Sequence, residues 1–280
     1  MKKGINIWSF GETTLSKAFE TAKKAGFDGV EVALDLEGEI SMSSTSEDLN
    51  KIKSSAKNAG IELYSVSSGL YWQFNYTSND KEKREKAMSI TRKQLEAAAA
   101  LECDTILVVP GAVGVDFIPD SEVVDYQTAY NRAKEALQKL SEDAKKAGVC
   151  IGVENVWNKF LTSPLEMNRF LEEIDSPFVG SYFDVGNTLY NGYPEHWISI
   201  LKDKIKKVHF KDYRRDAGGL HGFVDLLAGD VDYPAVMKAF KEIRYDGWVT
   251  GEMIPNYAHY TDQIVYNTSK SMDRIIGGKV

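Results

Sequence analysis

The sequence runs to 280 residues, 43% hydrophobic and 27% charged, the composition of a globular chain with a sizeable core. Its net charge of −7 and the lack of any long block of like charge exclude a phosphate-backbone tracker or an anionic-membrane binder. Neither nucleic acid nor a membrane is therefore expected as a partner.

Taken in chain order, Met1-Lys2-Lys3 precedes an apolar stretch too brief for a signal-peptide core, and no later run approaches a membrane span. The expected compartment is the cytoplasm. Cys103 and Cys150, the only cysteines, each adjoin an apolar run and read as reduced core filler, not as a disulfide framework.

Short β-branched runs predict strands over 4–8, 29–33, 62–66, 105–109, 150–154, 179–184, 207–211 and 248–252. Between them, apolar residues at three- and four-residue spacing predict helices, including those over 14–25, 47–58, 81–100 and 128–146. Gly26, Gly60 and Gly148 each stand where a left-handed cap ends a helix just before the next strand. Eight strand–helix units predict parallel strands with right-handed crossovers, closed into a (β/α)₈ TIM barrel of the α/β class. The loop after the first strand, Ser9-Phe10-Gly11-Glu12, has neither GxGxxG nor a Walker lysine, which argues against an open nucleotide-binding sheet. With no linker or composition break, residues 1–280 read as one domain.

Parallel barrel strands are expected to be almost wholly apolar, so a polar residue on one carries meaning. At the C-terminal end of a strand it opens onto the site face of the barrel. The last four strands each place one metal-competent side chain there: Glu154, Asp184, His209 and Glu252. Taken singly, Asp184 reads equally as a turn former before Gly186-Asn187, and His209 as a satisfied core histidine. Glu154 and Glu252 read singly as partners of lysines. Together, three carboxylates and one imidazole suit a hard or borderline divalent ion, Mn²⁺ best, with Mg²⁺ or Co²⁺ as alternatives.

The segments Val153-Glu154-Asn155-Val156-Trp157-Asn158, Phe183-Asp184-Val185-Gly186-Asn187 and Val208-His209-Phe210-Lys211-Asp212 resemble the xylose-isomerase-like TIM-barrel superfamily of sugar isomerases and epimerases. The likeness covers nearly the whole chain. It implies Glu154, Asp184, His209 and Glu252 as ligands of one divalent metal ion. It further implies Glu154 and Glu252 as the acid/base pair of a ketose 3-epimerisation through a cis-enediolate, on a sugar or sugar phosphate. Arg215, six residues after His209, matches a substrate-binding arginine of the tagatose-epimerase group, with Arg214 competing for that role.

Asn187 stands where that group has a substrate-binding histidine, which favours the sugar-phosphate branch. Lys211-Asp212 resembles inosose dehydratases, so a lyase of that kind is the second enzymatic reading; a non-catalytic sugar-binding barrel is the third. Endonuclease IV shares the barrel but uses histidines on strands three and four, and here those strand ends have none.

Among the remaining polar residues, Glu31 reads as a substrate contact, an orienting group or a prop of the barrel mouth. Lys211 reads as a substrate contact or as an ion-pair partner of Asp184 or Glu154, and His221 as a flap contact or a solvated loop residue. Trp8, Tyr71, Trp72 and Trp157 follow strand ends and read as pocket walls or as core, since sugars stack their C–H faces on aromatic rings. Lys159, Arg214 and Arg215 are the cations available to a phosphate. The sequence leaves a homo-oligomer open.

Overall fold

The amphipathic periods resolve into alternating strands and helices in the computed structural model, which describes residues 1–277. Residues 278–280, included in the single domain expected above, lie outside the described residues. The elements are β1 (Lys2–Asn6), α1 (Leu15–Ala25), β2 (Gly29–Ala33), α2 (Ser46–Ala59), β3 (Glu62–Ser67), α3 (Lys81–Ala100) and β4 (Thr105–Val108). There follow α4 (Tyr126–Ala147), β5 (Cys150–Glu154), α5 (Pro164–Ile174), β6 (Val179–Asp184), α6 (Pro194–Leu201) and β7 (Ile205–Phe210). After a short hairpin of β8 (Asp212–Tyr213) and β9 (Phe223–Val224) come α7 (Tyr233–Glu242), β10 (Trp248–Gly251) and α8 (Gln263–Gly277).

Local chemistry fixes the helix ends. Thr45 opens α2 with a reciprocal capping box to Asp48, and the side chain of Thr14 accepts from the Lys17 amide at the start of α1. Gly26 ends α1 at φ 91°, a conformation that costs glycine little and other residues more. Gly60 and Gly148 end α2 and α4 in the same way.

The strands pair in parallel in the order β1-β10-β7-β6-β5-β4-β3-β2, and β1 also pairs with β2, so the barrel is closed. The helices pack outside it over an apolar layer that includes Phe19, Phe170, Phe183, Phe210 and Phe240. The TIM barrel expected from the sequence is thus the fold. Cys103 is buried, Cys150 half-buried, and both are free thiols. No helix among the described residues is long and apolar enough to cross a membrane.

The barrel interior departs from the apolar strand expectation. Asn6, Glu31, Ser65, Ser67, Tyr182 and His209 are all fully buried, and they form a polar network inside the barrel. Backbone groups complete the network, with Ser67 Oγ donating to Val32 O and Asn6 Oδ1 accepting from the Trp8 N–H.

Candidate metal centre

Strand register sets the depth of each candidate side chain. Asp184 is level with His209 across β6 and β7, and Glu154 ends β5 level with Tyr182. Glu252 follows the last residue of β10, and its backbone N–H donates to Phe210 O at 3.2 Å. The ring order β10-β7-β6-β5 therefore places Asp184 and His209 between the two glutamates.

One atom from each of the four residues lies within 4.8 Å of all the others. His209 Nδ1 stands 2.9 Å from Glu252 Oε2, 3.3 Å from Glu154 Oε1 and 3.8 Å from Asp184 Oδ2. Among the described residues, six buried side-chain polar atoms lack a hydrogen-bond partner, and these four are among them. Burying so many unpartnered acceptors together is costly unless a cation joins them. The donor set and its convergence fit one divalent metal ion.

Lys211 Nζ sits 2.6 Å from Glu252 Oε2 and 3.2 Å from Asp184 Oδ2, within ion-pairing reach but without hydrogen-bond geometry. Burial opposes its charge, but Asp184, Glu252 and Glu154 outweigh burial and hold the ammonium well above its usual range. Gly186 makes this approach feasible, because a Cβ there would stand 2.5 Å from Lys211 Cβ.

Burial, reinforced by the charge of Glu252, raises the Glu154 carboxyl to about 7. Burial acts on Glu252 in the same direction, but Lys211 and His209 override it and lower that group to about 2. His209 is desolvated too, yet the carboxylates of Glu252 and Glu31 hold its imidazolium well above the normal histidine range.

Glu31 lies beneath the cluster, not at the barrel mouth, and of its three sequence readings the geometry matches the orienting group. Its Oε1 is 2.8 Å from His209 Nε2 and accepts from Asn6 Nδ2 at 2.6 Å, while Tyr182 donates to its Oε2. A carboxylate on Nε2 fixes the tautomer that turns the Nδ1 lone pair toward the cluster. Glu31→Gln is expected to weaken Mn²⁺ binding by roughly 10–100-fold. Calorimetric Mn²⁺ titration checks it, with circular dichroism as the control for folding; unchanged affinity would remove the orienting role.

A cavity of about 670 Å³ opens above the cluster. It brings together Glu154, Glu252, Lys211, Asn187, Trp8, Trp72, Trp157 and His221 from the sequence readings. Phe117, Leu220, Phe223 and Ile254 also line it, although nothing in the sequence marked them. Asn187 is half structural: its N–H donates to Asp184 Oδ1 at 2.7 Å, its Nδ2 to Asn155 O at 2.9 Å. Asn155 in turn pairs with the Asp184 backbone through both ends of its amide and ties β5 to β6.

Arg215 lines neither this cavity nor the one beside it. The β8–β9 hairpin carries it outward, where Nε donates to Leu189 O at 3.3 Å and the guanidinium lies 5.4 Å from the Tyr193 ring. Arg214 Nε donates to Ala228 O. Tyr71 is core, with its hydroxyl bonded to Gln94 and Thr91.

Fold and cluster together define a TIM-barrel protein built to hold one divalent ion at the C-terminal ends of its strands. Residues 19–268 match the family described as xylose isomerase-like TIM barrel, and the chain belongs to that family. It is 24% identical over 246 residues to a Haemophilus influenzae protein provisionally named L-ribulose-5-phosphate 3-epimerase, covering 86% of this chain and 84% of the relative. It is 23% identical over 261 residues to the inosose dehydratase of Lacticaseibacillus casei, covering 86% and 82%. Among solved structures, a D-psicose 3-epimerase crystallised with D-fructose superposes with a TM-score of 0.79, at 20% identity over 100% of both chains.

Proposed function

We propose that this isomerase-class enzyme is a Mn²⁺-dependent ketose 3-epimerase in which Glu154 and Glu252 exchange protons with opposite faces of the substrate. The observation that carries the reading is the placement of the two glutamates at either flank of the cluster, with Asp184 and His209 between them. Inversion at a carbon needs a base on one face and an acid on the other, and a sugar binder needs neither. The likeness to proteins named as 3-epimerases supports the reading.

When bound, a divalent ion supplies Lewis acidity to the oxygens on which charge develops. Glu154 Oε1 and Glu252 Oε2 converge with His209 Nδ1 and would hold the ion, leaving the second oxygen of each carboxylate for the proton. One glutamate removes the proton from the carbon beside the carbonyl, and the other returns a proton to the opposite face. The roles swap in the reverse direction. Lys211 holds Glu252 and offers its ammonium to a substrate oxygen. Trp8 and Trp157 wall the sugar, and Asn187 and His221 contact its hydroxyls from the cavity lining. Three carboxylates and one imidazole favour Mn²⁺, with Mg²⁺ or Co²⁺ accepted.

The test is turnover in D₂O. With Mn²⁺ and a panel of ketoses, the epimeric product is expected to carry deuterium at C3. Turnover with the original hydrogen retained would refute proton transfer in favour of a hydride shift. Loss of water to an unsaturated or dicarbonyl product would instead place the chain with the dehydratases.

A further inference from the structure

We infer that the physiological substrate is a neutral ketose bearing a second sugar ring, with that ring seated in a cavity beside the metal site. The inference rests on the epimerase reading and specifies its substrate. The second cavity measures about 380 Å³ and shares Phe117, Val156, Trp157, Asn187 and Leu220 with the 670 Å³ cavity over the metal ligands. Cavities of roughly 300–1,000 Å³ hold drug-sized ligands. The larger cavity alone exceeds what one sugar ring fills, and its neighbour extends it away from the metal.

The lining of the second cavity has the chemistry of a carbohydrate subsite. Tyr190 and Trp157 bring aromatic rings for sugar C–H faces, and Thr162 and Asn191 bring hydroxyl and amide groups for ring hydroxyls. Tyr190 is 64% exposed and Leu220 45%, an apolar rim that a seated ring would cover. Trp157 is fixed between the two cavities, with Nε1 donating to Asn187 O at 2.9 Å and its ring stacked on Phe223.

Charge argues for a neutral ligand. The only ionisable side chains lining the second cavity with opposite charges are Asp116 and Lys159, and they pair with each other at 2.5 Å. Neither cavity is lined by an arginine, and Lys211 stands against Glu252 and Asp184, at the reacting end of the substrate and not at its far end. A phosphate group would find only His221 and the exposed Lys159, which it would have to take from Asp116.

Isomaltulose and D-fructose test this directly, since they share a ketose head and differ by a glucose ring on C6, the end farthest from the reacting carbons. On the Mn²⁺-loaded enzyme, calorimetry is expected to show isomaltulose binding about tenfold tighter than D-fructose or D-fructose 6-phosphate. Asn191→Trp, which fills the second cavity from an exposed position, should abolish that advantage. Equal or tighter binding of D-fructose or its phosphate, or an Asn191→Trp variant that keeps the preference, would overturn the inference. Deuterium exchange at C3 is read in parallel: preferential isomaltulose binding without exchange would keep the ring subsite and remove the epimerase reading.

Discussion

Replacing Glu154 or Glu252 with Gln is expected to lower kcat by roughly 10²–10⁴-fold, the range for loss of one general acid–base group. Gln keeps the side-chain shape and one oxygen that can face the metal, but it cannot carry a proton in either direction. Loss of metal organisation would add to the deficit, so each variant is compared at saturating Mn²⁺, with metal content measured on the same sample. Both variants should remain folded, because the barrel buries its core independently of these two charges. A variant that holds metal and still turns over at the native rate would sink the two-carboxylate mechanism.

Metal uptake should depend steeply on pH. A ligand must be deprotonated to bind, and in the metal-free protein Glu154 is raised to about 7 while His209 is held protonated beyond that. Below about pH 7 both protons must leave, so apparent affinity should fall about 100-fold per pH unit; above it only the His209 proton leaves, about tenfold per unit. The direction is unambiguous: acid weakens binding. Mn²⁺ titrations between about pH 5.5 and 8.5 measure both slopes. Asp184→Asn and His209→Ala should lower occupancy at every pH, and His209→Ala should also remove one proton from the slope. An unbroken tenfold slope through pH 7 would show that Glu154 gives up no proton to the ion.

The candidate quartet was legible because it violates the pattern of its surroundings. Glu154, Asp184, His209 and Glu252 interrupt strongly apolar strands at matching depth, and burial makes such interruptions expensive. Strand boundaries were less legible: residues 4–8 read as one strand because Ile7 and Trp8 are apolar, but they belong to a 3₁₀ turn after Lys2–Asn6. The inner network escaped notice for a related reason. Asn6, Ser65 and Tyr182 are ordinary strand or turn residues one at a time, and only closure of the barrel turns them toward Glu31.

Arg215 shows the limit of counting along the chain. Its spacing from His209 fits a substrate contact, but the intervening Asp212 accepts backbone N–H groups from Tyr213, Leu227 and Val231 and so folds the following segment outward. The second cavity is built by loops after β4, β5 and β6, which have no periodicity from which a wall could be read.

The Glu31 network also bears on how the barrel assembles. Its members come from β1, β2, β3, β6 and β7, and side chains in a strand alternate between interior and exterior. A slip of one residue in any of these strands would turn its member out of the barrel and leave a buried carboxylate short of a donor. One charge thus reads the alignment of five strands at once and penalises the misaligned forms. The side chain that aims His209 into the candidate metal centre is the same one that proofreads the closing of the barrel.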